Sequence, residues 1–229
     1  TASRMSYIKA SEIREILKVT EQEDVISFAG GLPAPELFPI DEINEVSQIV
    51  LKEAGTKALQ YTTTEGYAPL REWISQRMND RLGTSFDKDN ILITHGSQQG
   101  LDLSGKVFLD DGDIVLCESP TYLAAISAFK SYGCSFVEIP TDEEGMNMVV
   151  LEDVLNTTEN IKLIYVIPTF QNPTGRTWSL ERRKKLAELS ARYDIPVIED
   201  NPYGELRFEG ESLPSIKSFD KAGNILCTG

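Results

Sequence analysis

Five short apolar runs recur along this chain, each cut off by a polar, Gly or Pro cluster and the first four each followed by a helical pattern. They cover residues 91–94, 114–117, 135–139, 163–167 and 197–200. The intervening stretches 101–108, 123–129, 151–155 and 180–193 carry apolar residues at helical spacing or the composition of short helices. Strands that alternate with helices at this rhythm predict an α/β domain: a doubly wound, largely parallel sheet with helices on both faces. A short edge strand over 205–208 and a last strand over 224–227 extend the pattern. Upstream, residues 1–19, 41–54 and 69–82 read as amphipathic helices, the last with Leu70, Trp73, Ile74 and Met78 on one face. Residues 26–39, with Gly30, Gly31, Pro33, Pro35 and Pro39, cannot be regular; Phe28, Leu32, Leu37 and Phe38 predict that this loop packs against something.

The fifth run, Val197-Ile198-Glu199-Asp200, enters Asn201-Pro202-Tyr203-Gly204, so Asp200 stands at the carboxyl end of a buried strand. In open α/β sheets ligands gather outside that end of the strands. A carboxylate there can cap a turn, ligate a metal or pair with a ligand cation, and the segment alone favours the plain cap or turn, because Asp and Asn are common turn residues.

Composition narrows the choice. The 229 residues suffice for one well-buried domain, or for a large domain with a small appendage. Thirty-six acidic against 22 basic side chains give a net charge of −14, which repels phosphate backbones and anionic membranes. Neither a nucleic-acid nor a membrane partner is expected. The run Arg182-Arg183-Lys184-Lys185 is read as a solvated helix face, and Thr141 to Gly145 as a solvated acidic turn. Cys117, Cys134 and Cys227 have no paired spacing and His95 is the sole histidine, so neither a disulfide framework nor a zinc site is expected. Reduced thiols and the lack of a long apolar segment or leader pattern suit a cytoplasmic protein. No G-x-G-x-x-G follows a strand and no P-loop is present, which removes the usual support for dinucleotide or nucleoside triphosphate binding.

The strand ends then differ in chemistry. After residues 91–94 comes His95-Gly96-Ser97-Gln98, a glycine and a helix start whose N–H groups and dipole form an anion cradle, with Ser97 also a candidate N-cap. The next offers Tyr122, a flat aromatic surface. Another offers Asn172, a neutral donor in the Pro- and Gly-locked segment Pro168 to Gly175, and the last offers Asp200 with Tyr203. A phosphate cradle, a stacking ring, donors to a phenolate oxygen and a carboxylate for a ring nitrogen describe a site for pyridoxal 5'-phosphate. The carboxylate matters most there, because it keeps the pyridine nitrogen protonated.

The chain resembles the fold-type I pyridoxal-phosphate aminotransferases of class I/II, and most closely their 2-aminoadipate and kynurenine subgroup. The matching segments are Phe28 to Pro33 with Phe38-Pro39, Tyr61 before Gly66, Leu70-Arg71, Gly96 to Gln99, Asn172 to Gly175 and Glu199 to Tyr203, in that order. The resemblance implies a three-layer αβα large domain with a mostly parallel sheet, C-terminally truncated here. Residues 1–40 would be an arm on the substrate side and residues 41–229 an incomplete cofactor-binding domain. By the same resemblance Ser97 and Gln98 bind the cofactor phosphate and Tyr122 stacks on the ring. Asn172 and Tyr203 bond the ring oxygen, and Asp200 pairs with the pyridinium. Tyr61 resembles the residue that reaches the cofactor phosphate of a neighbouring subunit, which implies a homodimer. Gly31 and Arg14 would face the substrate.

One departure bears on activity. The family's Schiff-base lysine follows a strand like residues 225–229, and it is expected just after Gly229. Lys217 and Lys221 come too early and have the wrong neighbours. The expected activity, amino transfer between an amino acid and a 2-oxo acid in amino acid metabolism, therefore belongs to a longer protein, and the present chain alone is expected to be inactive. Lyases and synthases of the same fold, and pyridoxal-phosphate-sensing domains of transcription regulators, are the alternatives.

Overall fold

The computed structural model describes residues 2, 5, 6, 25 and 31–229. It falls into two compact units, residues 9–64 and residues 65–229 with 1–8. Within 9–64 the described elements are a 3-10 turn, Pro35–Leu37, and helix α1, Ile40–Ala58. Asp41 and Glu42 sit in the first turn of α1 and Lys57 in its last, each on the side the helix dipole favours. Ala54 leaves the helical conformation (φ −140°, ψ 22°), at the residue where the sequence pattern ends its helix. No residue of α1 is buried, and Ile43, Val46 and Val50 on one side of it are exposed.

The larger unit holds helices α2 (Ala68–Leu82), α3 (Ser97–Phe108), α4 (Leu123–Lys130), α5 (Met148–Thr157) and α6 (Leu180–Tyr193). Its strands are β1 (Ile114–Ser119), β2 (Ser135–Asp142), β3 (Gly145–Met146), β4 (Ile161–Val166), β5 (Val197–Asp200) and β6 (Ile225–Thr228). They form one sheet in the order β3-β2-β1-β4-β5-β6, with β2–β3 antiparallel and every other pair parallel. Strand alternation divides the core in two. Leu116, Ile164, Val166, Val197 and Ile225 pack with Leu151 and Leu155 of α5 and Leu186 and Leu189 of α6. Val115, Leu163, Tyr165 and Ile198 pack with Leu101 of α3 and Ala125 and Phe129 of α4. The result is the expected three-layer αβα arrangement. Chain order reverses between β1 and β4, so the crevice between their carboxyl ends is the topological switch point of the sheet. The segments carrying Tyr122 and Asn172 leave the sheet there.

Four local expectations are corrected. Leu32, Leu37 and Phe38 of the 26–39 loop are exposed, so the described part of that loop is not packed as expected. Residues 91–94 form no strand, because their backbone groups are already engaged: Ile91 O accepts from Arg71 Nε at 2.9 Å and Ile93 N donates to Glu65 O at 3.0 Å. Residues 205–208 form no edge strand, since Leu206 N closes a turn onto Tyr203 O at 2.9 Å. The run 182–185 is not a solvated face throughout, since Arg183 is 2% exposed and its Nη2 donates to Pro168 O at 2.7 Å. The acidic stretch 141–145 is, as expected, an exposed turn, here closing the β2–β3 hairpin with its acids paired. Asp142 holds Arg182 at 2.7 Å and Glu143 holds Arg176 at 2.8 Å. Among the described residues no helix is long and apolar enough to cross a membrane.

Candidate functional site

Asp200 ends β5 at 3% exposure. Its Oδ2 accepts a hydrogen bond from the Tyr165 hydroxyl at 2.6 Å, whereas Oδ1 is buried with no partner among the described residues. Burial raises the pKa of this carboxyl, and the Tyr165 hydrogen bond pulls the other way. An unpartnered buried carboxylate oxygen costs about 1–3 kcal/mol or more. Such a cost persists where a ligand supplies the missing donor.

Tyr122 lies immediately before α4, partly buried against the Leu101–Phe129 layer. Burial raises its phenol pKa, with smaller contributions from Tyr203 and Asp200, so these three side chains share one neighbourhood. Asn172 Nδ2 donates to the Tyr203 hydroxyl at 3.3 Å. The Tyr203 proton is thereby left for another acceptor.

The Asn172 segment is held from several sides. Gln171 Nε2 donates to Pro120 O at 2.7 Å, while Gln171 Oε1 accepts from Thr174 N at 2.9 Å and from Thr174 Oγ1 at 2.7 Å. Glu118, 1% exposed, takes Ile167 N and Trp178 Nε1, each at 2.8 Å, from the two ends of the segment. Burial pushes the Glu118 carboxyl up to about 7, against the hydrogen bonds that favour its ionised form.

Ser97 is the first residue of α3, and Gly96 (φ 78°, ψ 165°) takes the N-cap position, with no side-chain cap bond. Ser97 is therefore not the N-cap. Space around the Gly96 α-carbon is open, and Ser97 and Gln98 are exposed at this helix start. A Cβ on Gly100, one turn along, would lie 3.6 Å from Thr228 Oγ1, and Thr228 is the register partner of Asp200. The start of α3 thus lies at the Asp200 end of the sheet, on the face that carries Tyr165.

Tyr61 and Gly31 belong to the other unit, where Tyr61 is 98% exposed and Gly31 has φ +55° with open space around it. Arg14 lies outside the described residues. Lys217 is committed elsewhere. Its Nζ pairs with Asp220 at 2.8 Å and its backbone N donates to Glu199, whose side chain leaves the opposite face of β5 from Asp200. Among the described residues no cluster of His, Cys, Asp and Glu could hold a metal ion. Sequence reasoning did not single out Tyr165 or Glu118. An aromatic hydroxyl within the aliphatic run 163–167, and an acid at the end of 114–118, were the available signals.

The model of a family described as aminotransferase class I and II matches residues 23–229. Aromatic-amino-acid aminotransferase 1 of Thermococcus litoralis is 51% identical over 226 residues, 97% of this chain and 54% of that protein. The kynurenine aminotransferase of Pyrococcus horikoshii, solved in complex with PMP, superposes with a TM-score of 0.91 at 45% identity, covering 99% of this chain and 57% of that one. The alpha-aminoadipate aminotransferase of Thermus thermophilus, solved with N-(5'-phosphopyridoxyl)-L-leucine, gives 0.86 at 43% identity, covering 99% and 56%. The chain spans just over half the length of these relatives.

Proposed function

The chain belongs to the class I and II aminotransferases, and from that premise we propose that the whole protein is a pyridoxal-phosphate-dependent transaminase whose cofactor pocket is built largely by this chain. The carrying observation is Asp200, with Oδ2 engaged by Tyr165 and Oδ1 buried without a partner. An N–H cation at Oδ1 would relieve that oxygen and favour the carboxyl's ionised form. When bound, pyridoxal phosphate supplies an electron-accepting ring whose strength depends on a protonated nitrogen.

The remaining residues take supporting parts. Asp200 holds the ring nitrogen's proton, and Tyr122 offers a face for stacking. Tyr203, which receives Asn172 Nδ2, directs its own proton toward the ring oxygen. Ser97, Gln98 and the first N–H groups of α3 hold the phosphate, where the helix dipole favours an anion. Gly31 and Arg14 are assigned to the substrate side. Tyr61 is assigned to the phosphate of a partner subunit in a homodimer, a reading supported by its exposure and by the uncovered apolar side of α1. Residues 1–40 act as an arm and residues 41–229 as part of the large domain. Lys217 and Lys221 are not given the covalent role, which is assigned to a lysine beyond residue 229. Scattered free cysteines suit a cytoplasmic protein acting in amino acid metabolism.

The whole gene product, loaded with pyridoxal 5'-phosphate, should convert an amino acid and a 2-oxo acid into a new amino acid in equal amount. Aromatic amino acids, kynurenine and 2-aminoadipate form the donor panel. Release of ammonia with a 2-oxo acid and no new amino acid would place the protein among the lyases of this fold. If borohydride leaves no cofactor adduct in the mass spectrum, the pyridoxal-phosphate reading fails.

A further inference from the structure

Tyr165 is a costly residue for its position. Strand alternation sends its side chain into the layer of Leu101, Ala125 and Phe129, where its ring lies edge-on to Phe129 at 5.8 Å and 69°. The residue is 0% exposed, so its hydroxyl must find a protein partner or be left unsatisfied. Phenylalanine would fill the same space with no polar group to bury. The hydroxyl's partner is Asp200 Oδ2 at 2.6 Å, the short distance of a bond to an ionised acceptor. Asp200 Oδ1 remains unpartnered.

Resting on the function proposed above, we propose that Tyr165 is a positioning residue for amino transfer. By occupying Oδ2 it fixes the rotation of the Asp200 carboxylate and leaves Oδ1 as the acceptor presented to the cofactor's ring nitrogen. Among the described residues no other donor bonds Asp200. Glu118 of β1, Tyr122 and Tyr203 are the other titratable groups that bear on this pair, and none is a cation. Without the hydroxyl, Asp200 has two equivalent oxygens and, among the described residues, no donor that favours its charged form.

The test uses the full-length protein with Tyr165→Phe, and with Phe129→Leu as a packing control that leaves the hydroxyl in place. In the cofactor-free protein, 13C NMR of labelled aspartate follows the titration of Asp200. Tyr165→Phe should raise its midpoint by about 1–2 pH units, the size expected for one lost bond to a charged group. In the loaded protein, 15N NMR of ring-labelled cofactor should show the ring nitrogen losing its proton at lower pH than in wild type. kcat should fall about 10–100-fold with little change in KM, as expected when a contact used mainly in the transition state is lost. Phe129→Leu should leave both titrations unchanged. An unmoved Asp200 titration in Tyr165→Phe, or an equal shift in Phe129→Leu, overturns this inference while leaving the transaminase reading intact. A wild-type protein that takes up no pyridoxal phosphate overturns both.

Discussion

Glu199 and Asp200 are neighbours in β5, both carboxylates and both almost wholly buried, yet they leave opposite faces of the sheet. Glu199 is saturated. Its oxygens accept from Ile216 N at 2.9 Å and Lys217 N at 3.0 Å, the Cys227 thiol approaches at 3.6 Å, and the Arg183 charge is nearby. Among the described residues Asp200 has one donor and one idle oxygen. Burial raises both pKa values. The α5–α6 side of the sheet thus spends its acids on joining chain segments, as Glu118 also does with Ile167 and Trp178. The α3–α4 side keeps an acid incompletely paired. Completeness of pairing separates a buried carboxylate that holds the fold from one available to a ligand.

Breaking the saturated side should have the largest effect. Glu199→Leu strands two backbone donors and deprives the buried Arg183 of its anion, so a stability loss of about 3–5 kcal/mol is expected in urea or thermal unfolding. A loss below about 1 kcal/mol would erase the contrast.

Glu118 sharpens it through pH. Its carboxyl stands at about 7 in the fold against 4.5 for the free group, so the folded state binds this proton more tightly than the unfolded chain. Its contribution is fully present below about pH 4.5, is lost as pH rises through about 7, and is flat above. At ~1.4 kcal/mol per pH unit the interval corresponds to about 3 kcal/mol. Glu118→Gln should remove that slope from unfolding free energies measured between pH 4.5 and 7.5, while leaving the slopes of other groups.

On the ligand side the expected order reverses. Asp200→Asn should change stability by no more than about 1 kcal/mol, because relief of burial offsets the weakened Tyr165 bond. Amino transfer by the whole protein should nonetheless fall about 10²–10³-fold. A large stability loss without a loss of turnover would place Asp200 with Glu199. The smallest effect is expected from Asn172→Ala, which removes one neutral hydrogen bond to Tyr203 at 3.3 Å. Cofactor affinity should weaken by about 0.5–1.5 kcal/mol, read as a shift in the dissociation constant, with the melting temperature little changed.

What the amino-acid sequence determined by itself was what local pattern can encode. Short apolar runs separated by amphipathic helices dictated a parallel, two-faced sheet, because side-chain periods of 2 and 3.6 leave few other ways to bury those faces. A carboxylate at the end of the 197–200 run, and a glycine before the helix at Ser97, marked the proposed ligand end, because strand ends and helix starts expose unpaired polar groups. Tertiary structure decided what depends on distant partners. Tyr165 reaches Asp200 across 35 residues, and Glu118 reaches Trp178 across 60. Residues 91–94 and 205–208 have strand-like composition but no ladder, since Arg71, Glu65 and Tyr203 take backbone groups a neighbouring strand would need. Which oxygen of Asp200 stays free was likewise beyond the linear code. A hydrogen bond is satisfied or left open by whatever the fold places within about 3 Å of it, and sequence spacing does not carry that distance.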